Sequence, residues 1–388
     1  MRILVCSLEA PLPPPNGLRL QVAALVRELR NSHSVHVLAF RMPDQAGTPD
    51  PDDMRLIPRK ASVRPWWDAT AGLPPGTADA LLRLRKPLRE ELGRFDPEVV
   101  HVTSGRLALL AAQLADRPAV LAALDAWHLN VAAESDVAVG ADRLMRRVEG
   151  ALVRRFERQR YGRFDRVVVV TEADRRALLE VNPNLRIEVI PNGVDADAFD
   201  WDGTQRDRHL ILFTGVMSYA PNVTAAEFLA RRILPRVGEA FSSVRLVLVG
   251  RGPSSSIRAL GALPGVEVVG EVPDMRPWLS RAGVYVCPML TGTGMKNKLL
   301  EAMANGLACV ATPLAVQGLA VTHGQDILMG STEEELARHV IRLIQEPVLA
   351  DRIGVAGRAY VRSRHTWTSM AARYEQIYRQ LASGPELP

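Results

Sequence analysis

The residues best suited to chemistry lie in the segment 291–306, which reads TGTGMKNKLLEAMANG. A strand pattern precedes this segment, and its glycines followed by a helical pattern predict a turn that opens a helix. The N–H groups at a helix start attract anions, and the ammonium groups of Lys296 and Lys298 lie beside them. We therefore expect this segment to hold a diphosphate.

Glu301 follows Lys298 by about one helical turn, where its carboxylate could accept hydrogen bonds from two ribose hydroxyls. The alternative is a surface ion pair at i,i+3 spacing, worth only about 0.2–0.5 kcal/mol. Lysine is scarce here, because the 48 Lys and Arg residues include only Lys60, Lys86, Lys296 and Lys298 as lysines. Two lysines at one helix start therefore favour a binding role.

A second turn of this kind follows the first strand pattern, where PPPNGLR occupies residues 13–19. Gly17 would let an anion approach the backbone N–H groups, and Arg19 adds a positive charge. A complete G-x-G-x-x-G is missing, so an ordinary strand-to-helix turn is the alternative.

Polar residues near two other strand patterns are further candidates. Asp125 and His128 follow the pattern at 119–124 and could be polar residues of an active site, or Asp125 could simply cap the next helix. His101, within the pattern at 99–102, could take part in catalysis or be a half-buried strand residue.

Composition narrows the class of protein. The 388 residues carry 48 Lys and Arg against 43 Asp and Glu, and a net charge of +5 suits anionic small molecules better than nucleic acid. No apolar run approaches the roughly 18 residues of a membrane span, and the N-terminus lacks a signal-peptide pattern, so a cytoplasmic protein is expected. The cysteines Cys6, Cys287 and Cys309 lie far apart in apolar runs, as reduced thiols do.

Short β-rich runs alternate with helical patterns along the whole chain, which predicts an α/β fold with parallel sheets. The strand patterns occupy residues 3–8, 35–40, 99–102, 119–124, 167–171, 187–191, 210–214, 244–250, 266–270, 284–288, 308–312 and 327–330. We expect two Rossmann-like domains, 1–194 and 195–365, and a C-terminal helix in 366–388 that braces the first domain.

Two segments interrupt this alternation. Residues 41–80 are rich in Pro, Gly and Asp and predict a surface loop, in which Trp66 and Trp67 could line a pocket or pack a satellite core. Residues 143–161 predict an arginine-rich amphipathic helix, whose arginine face is either solvated or a patch for anionic lipid. Its apolar residues at every fourth position are Leu144, Val148, Leu152 and Phe156.

Together these motifs resemble the retaining, family-four type of GT-B glycosyltransferase, also described as glycosyl transferases group 1, over nearly the whole chain. The matching sequences are NG at 16–17 with Arg19, FDRVVVVTE at 164–172, VIPNGVD at 189–195, FTGVMSYAPN at 213–222, LVGRGP at 248–253 and the helix 298–306. The resemblance implies two doubly wound Rossmann-like domains facing across a cleft, the second binding a nucleotide-diphosphate sugar and the first an acceptor. It also implies retention of anomeric configuration, without a metal or any other cofactor.

The resemblance assigns roles to single residues. Glu301 matches the ribose-binding glutamate that ends the E-x7-E motif, Lys298 a lysine three residues before it, and Gly17 the glycine that faces the phosphate. The expected catalytic residues are Asp125, His128 and Lys298. Asp125 and His128 lie where the family has a polar residue that points into the cleft, and either could orient a sugar hydroxyl or the acceptor. The candidate acceptor contacts are His101, Trp66 and Trp67. The other expected donor-binding residues are Arg19, Gly215, Arg251, Thr293, Gly294, Met295 and Lys296.

The sequence departs from the family pattern in two places, one at residue 293 and the other in the segment 215–222. Thr293 occupies the place of a sugar-binding glutamate, which leaves the donor sugar open. Val216 and Asn222 lie in the segment that usually carries two cationic phosphate ligands, so we expect Lys296, Lys298 and Arg251 to replace them.

Glycosyl transfer builds negative charge on the departing nucleoside diphosphate, so we expect its stabilisation by Lys298, Lys296, the helix start near Gly294 and Gly17 to dominate catalysis. The fold also suits a nucleotide-sugar epimerase or phosphorylase, and a non-enzymatic alternative is a nucleotide-sugar-sensing module at a membrane surface. The expected partners are a nucleotide sugar and an acceptor molecule or glycan, without nucleic acid. Peripheral contact with the inner face of a membrane and the oligomeric state stay open.

Overall fold

The computed structural model describes residues 1–11, 17–42, 45, 51–58, 72–114, 117–201 and 205–383. The chain divides into two compact domains, Met1–Pro191 with Trp367–Pro388, and Asn192–Thr366. We call the two points at which the chain passes from one domain to the other the crossings. The sequence predicted them after Val194 and His365, and in the structure they lie after Pro191 and Thr366.

The N-terminal domain is built on a seven-stranded parallel sheet of order β3-β2-β1-β4-β5-β6-β7. The strands are β1 Arg2–Ser7, β2 Ser34–Arg41, β3 Met54–Pro58, β4 Val99–Thr103, β5 Ala119–Leu124, β6 Arg166–Val169 and β7 Ile187–Val189. Strands β1, β4 and β5 are nearly continuous apolar runs, because helices cover both faces of a parallel sheet. Two separate clusters of buried side chains accordingly form, each taking alternate residues of these strands.

The helices of this domain before the crossing are α1 Gly17–Arg30, α2 Thr77–Phe95, α3 Trp127–Val137, α4 Gly140–Arg160 and α5 Glu172–Val181. Short 3₁₀ helices occupy Gly105–Gln113 and Tyr161–Arg163. Thr171 precedes helix α5 as its N-cap, and its hydroxyl accepts the N–H of Asp174 at 3.1 Å.

The second domain repeats the design with a six-stranded parallel sheet of order β10-β9-β8-β11-β12-β13. Its strands are β8 Asp207–Thr214, β9 Arg245–Val249, β10 Val266–Gly270, β11 Ala282–Cys287, β12 Ala308–Ala311 and β13 Leu328–Met329. Its helices are α6 Ala220–Phe228, a π-helical turn Leu229–Ile233, α7 Leu234–Ala240, α8 Ser255–Leu260, α9 Arg276–Arg281, α10 Asn297–Ala304, α11 Glu333–Gln345 and α12 Pro347–Arg364. The two parallel sheets confirm the predicted α/β class of paired Rossmann-like domains.

After the second crossing, helix α13 (Trp367–Ala382) packs on the N-terminal domain beside α1. Its buried face carries Trp367, Met370, Tyr374 and Tyr378 into one of the two clusters of that domain. The chain end thereby supplies part of the core of the first domain.

The segment 41–80, predicted as a loop, contains the edge strand β3 and the first residues of α2. Strand β3 pairs in parallel with β2 from Met54 opposite Val37 to Pro58 opposite Arg41. Five residues that end in proline are too few for a strand period to stand out from the sequence. None of the described helices is both long enough and apolar enough to cross a bilayer.

Candidate functional site

The phosphate-binding segment predicted from the sequence lies at the carboxyl end of β11, where parallel sheets bind ligands. Gly292 and Gly294 take positive φ angles of 101° and 66° in the turn, which glycine adopts without a Cβ clash. Helix α10 then begins at Asn297, and Gly306, with φ of 71°, lies just beyond its end. The sequence therefore identified both the turn and the helix.

Lys296 does not project toward a ligand, contrary to the prediction. Its side chain is buried, and its ammonium donates to the carbonyl oxygens of Gly292 at 3.3 Å, Thr293 at 2.8 Å and Gly294 at 2.7 Å. An ammonium has three hydrogens, so these bonds occupy all of its donors. Lys296 thus holds the turn in shape rather than binding phosphate directly.

Lys298 has the surroundings of an anion-binding group. Its ammonium donates to Oδ1 of Asn222 and lies 4.6 Å from the centre of the Phe213 ring. Burial lowers the pKa of this lysine, because the charged form loses hydration. Among the described residues no carboxylate forms a salt bridge with it, so its charge is not neutralised by direct contact with an acid.

Two glycines bring β8 and β9 into close contact beside Lys298. A Cβ on Gly215 would lie 2.8 Å from Nδ2 of Asn222 and 3.4 Å from the Lys298 ammonium nitrogen. A Cβ on Gly250 would lie 1.7 Å from the carbonyl oxygen of Gly215. The two backbone segments therefore approach this closely only because both residues lack side chains, and the carbonyl of Arg251 accepts the Met217 N–H nearby at 2.8 Å.

Glu301 lies one turn along α10 from Lys298 and is half-buried. Burial raises the pKa of its carboxyl to about 7, while the positive charge of Lys298 acts in the opposite direction. The structure gives its side chain no hydrogen bond to another described residue. A carboxylate in this state can accept bonds from a ligand's hydroxyl groups.

Asn192, which the sequence analysis gave only as part of the VIPNGVD motif at 189–195, connects to this site. Its backbone N–H donates to Sδ of Met295 at 3.2 Å, and its side-chain amide donates to Oδ1 of Asn297 at 3.0 Å. Asn297 is the first residue of α10. Asn192 therefore helps to fix the turn and helix that carry Lys298, and an asparagine in a turn motif gave no signal of that role.

At the N-terminal turn, Gly17 is the first residue of α1 and is exposed. Arg19 is buried, with Nε donating to the Glu9 carboxylate at 3.0 Å. The side chain of Arg19 points into the domain. Its positive charge, which was predicted to bind phosphate, is therefore paired with the carboxylate of Glu9 instead. Arg19 is therefore a structural residue of the N-terminal domain.

Asp125 and His128 lie together at the carboxyl end of β5, with Glu157 of α4 as an unpredicted partner. The Glu157 side chain is fully buried and accepts from Nδ1 of His128 at 2.6 Å and from the His128 backbone N–H at 3.3 Å. The pKa of Asp125 is raised to about 6, chiefly by burial; a hydrogen bond from Asn130 opposes this rise, and the nearby carboxylates of Asp174 and Glu157 contribute to it.

Asp174 completes this group of acids, because its Oδ1 accepts the backbone N–H of Ala126 at 3.0 Å. Its other oxygen accepts the hydroxyl of Thr171. Glu157 and Asp174 lie 29 and 48 residues from the groups that they contact, so spacing along the sequence could not reveal them.

Of the two alternatives for His101, the structure agrees with that of a strand residue and buries it more fully than expected. It is 1% exposed, its Nδ1 contacts the Tyr378 hydroxyl at 2.7 Å, and burial lowers its pKa to about 3. It is a neutral core residue in contact with α13. The predicted acceptor residues Trp66 and Trp67 lie outside the described residues, and among the described ones no three His, Cys, Asp or Glu side chains are grouped as metal ligands.

Two family models match the chain in succession. The model for Glycosyltransferase Family 4 matches residues 15–198, and the model for Glycosyl transferases group 1 matches residues 208–346. The first match covers most of the N-terminal domain. The second contains Lys298, Glu301, Gly215 and Asn222.

Curated relatives match over nearly the full length. A phosphatidyl-myo-inositol mannosyltransferase of Mycolicibacterium smegmatis is 28% identical over 98% of this chain and 94% of its own. The protein of the same description from Mycobacterium tuberculosis strain H37Rv is 27% identical over 98% and 97%.

Solved structures share the fold. A sucrose-phosphate synthase from Thermosynechococcus elongatus superposes with a TM-score of 0.75 at 18% identity, covering 98% of this chain and 99% of its own. The Anabaena HepE protein in complex with UDP superposes with a TM-score of 0.67 at 15% identity, covering 98% and 100%. Family models of glycosyltransferases match both halves of the chain, and the solved structures superpose on nearly its whole length. The chain therefore belongs to the group 1 glycosyltransferases of the GT-B fold.

Proposed function

We propose that this glycosyltransferase takes its sugar from a nucleoside-diphosphate donor held by the C-terminal domain and passes it to a hydroxyl acceptor. The transfer proceeds with retention of anomeric configuration and without a metal ion. Retention and metal independence are supported by the family resemblance, and the nucleotide by neighbours solved with UDP.

One observation carries the proposal, namely the half-buried ammonium of Lys298 at the carboxyl ends of β8 and β11, beside Gly215. Departure of a nucleoside diphosphate leaves negative charge on its terminal phosphate. A cation that is already desolvated and oriented stabilises this charge without reorganising, which is commonly the largest contribution to catalysis. Lys298 is therefore the proposed leaving-group residue, and Glu301 the ribose-binding residue.

The N-terminal domain contributes His128 as the proposed contact for the acceptor hydroxyl. Its Nδ1 is bound to Glu157, so Nε2 is the nitrogen through which it can bond to a substrate. Asp125, with its pKa of about 6, is the proposed second polar contact. Full-length similarity to proteins described as phosphatidyl-myo-inositol mannosyltransferases supports a hexose donor and a lipid-anchored polyol acceptor.

The first experiment is a thermal-shift screen with UDP, GDP and TDP and with their sugars. A ligand at about 100 times its dissociation constant adds about 2.7 kcal/mol to the free energy of unfolding. The nucleotide sugar that stabilises the protein most is then incubated with polyol acceptors in the presence of a chelator that removes divalent cations. The release of nucleoside diphosphate and the anomeric configuration of the product are measured.

The decisive variant is Lys298→Ala, for which we expect a loss of about 10²- to 10³-fold in transfer rate with an unchanged fold. Lys86→Ala is the matched control, because Lys86 is an exposed lysine of α2 and should leave the rate unchanged. A wild-type transfer rate in Lys298→Ala would refute the role assigned to this lysine. If the release of nucleoside diphosphate requires a divalent cation, the metal-free mechanism is refuted.

A further inference from the structure

We infer that the outward face of helix α4 docks on an anionic lipid bilayer. Three large apolar side chains on this helix are exposed, Leu144 by 66%, Met145 by 68% and Val148 by 55%, and Val139 just before the helix by 81%. These are four of the ten large hydrophobic side chains that are exposed among the described residues, and they fall within ten consecutive positions. So dense a group of exposed apolar side chains marks an interaction surface.

Basic residues border this apolar group on the same helix. Five exposed arginines of α4 form no ion pair with a described residue: Arg143, Arg147, Arg154, Arg155 and Arg158. At 100° per residue, Leu144, Val148 and Met145 cover one sector of the outward face, and Arg143, Arg147 and Arg154 the adjoining sector.

The acids of α4 do not offset this charge on the outward face. Arg146 points toward the domain and forms ion pairs with Asp142 at 3.8 Å and Glu149 at 3.5 Å of the same helix. It also pairs with Glu134 at 2.6 Å. Glu157 is fully buried against His128. The surface that remains is cationic and apolar, so its complement is both anionic and apolar.

A bilayer that contains acidic phospholipids has that combination. Apolar side chains of an amphipathic helix enter the boundary between headgroups and acyl chains, while arginines bind the lipid phosphates. The opposite side of α4 holds Glu157 and, through it, the proposed acceptor residue His128. Given the proposed transfer to a lipid-anchored hydroxyl, docking through α4 would bring that hydroxyl to the domain that receives it, so this inference deepens the proposed function.

The test measures binding of the full chain to vesicles by flotation, using pure phosphatidylcholine and an equal mixture of phosphatidylcholine and phosphatidylglycerol. We expect binding to the mixed vesicles that weakens with added salt, and little binding to the neutral ones. The combined variant Arg143→Gln, Arg147→Gln and Arg154→Gln should weaken binding by about 100-fold. The variant Leu144→Ser with Val148→Ser should weaken it by about tenfold or more.

The matched control lies on α12, where Val348 and Val355 are 82% and 68% exposed and Arg352 is also exposed. Serine at the two valines and glutamine at Arg352 should leave vesicle binding unchanged. Equal binding of all variants, or no binding of the wild type to mixed vesicles, would overturn the inference. A wild-type dimer that becomes monomeric in Leu144→Ser with Val148→Ser would overturn it too, because the surface would then belong to a second copy.

Two further readouts separate this inference from the proposed reaction. The α4 variants should keep wild-type rates with a water-soluble polyol acceptor and lose rate only with the acceptor embedded in mixed vesicles. Vesicle binding in a protein that releases no nucleoside diphosphate from any sugar donor would uphold the docking surface and refute the proposed reaction.

Discussion

The imidazole of His128 and the carboxylate of Glu157 are joined by a 2.6 Å hydrogen bond from Nδ1, and the same carboxylate accepts the His128 backbone N–H. A carboxylate accepts and does not donate, so the neutral imidazole carries its hydrogen on Nδ1 and leaves Nε2 as an acceptor. Glu157 is fully buried, so water does not compete for this bond. We interpret Glu157 as a positioning residue that selects the tautomer of His128.

Replacing Glu157 by glutamine should therefore lower kcat about tenfold with little change in KM for the donor. The reason is that a charge-assisted hydrogen bond becomes a neutral one, and about 1.4 kcal/mol corresponds to a factor of ten in rate. Because the glutamine amide can either accept from Nδ1–H or donate to a bare Nδ1, the ¹⁵N chemical shifts of His128 should show a smaller population of the Nδ1–H tautomer. Glu149→Gln, on the same helix but paired with Arg146, should change neither quantity, and an unchanged tautomer in Glu157→Gln would contradict the assignment.

Nucleotide affinity should rise between pH 6 and pH 8 because of Glu301. Its pKa is raised to about 7, so the carboxyl is mostly protonated at pH 6 and mostly ionised at pH 8, and the ionised form accepts both ribose hydroxyls. The apparent affinity follows the ionised fraction, which predicts a gain of up to about tenfold over this range. Calorimetric titration with the nucleoside diphosphate at both pH values measures it.

The same titration on Glu301→Gln isolates the contribution of this carboxyl, because the phosphate of the ligand also titrates near pH 6. The variant should bind more weakly at pH 8 and show only the pH dependence of the phosphate. Identical pH profiles for wild type and variant would exclude Glu301 as the ribose ligand.

Replacing each of the two lysines of the site by methionine should have different effects on stability and on the transfer rate. Lys296→Met leaves the carbonyls of Gly292, Thr293 and Gly294 without their shared donor, so the free energy of unfolding should fall by about 2 kcal/mol or more. Lys298→Met should lower the transfer rate with a smaller loss of stability, because its ammonium is held by one asparagine. Denaturant unfolding of both variants tests this, and a Lys296→Met protein of wild-type stability would rule out the bracing role.

The contact between β8 and β9 should tolerate no side chain at Gly250. A Cβ there would lie 1.7 Å from the Gly215 carbonyl oxygen, so Gly250→Ala should cost about 3 kcal/mol or more as the strands move apart. Gly238, within α7, has nothing within 4 Å of its Cβ position, and Gly238→Ala should instead stabilise by about 0.5–1 kcal/mol. Equal stability of these two variants would show that the close approach is not required.

Much of the fold was legible in the sequence because its signals are local. Apolar runs that alternate with helical periods predict parallel sheets, and glycines around two lysines predict a turn that opens α10. The resemblance carried by these motifs identified the family and pointed to Lys298 and Glu301. The edge strand β3 was missed, since five residues are too few for a period to stand out.

Partners that are distant along the chain were decided by the tertiary structure alone. Lys296 and Lys298 are near neighbours in sequence, yet one turns inward onto three carbonyls and the other meets an asparagine 76 positions away. His101 became a core residue because α13 returns to it across 277 positions, and Leu144 and Val148 stayed exposed because no element covers that part of α4 among the described residues. A sequence period tells which side chains share a face of a helix or strand, but only the folded chain determines what that face contacts.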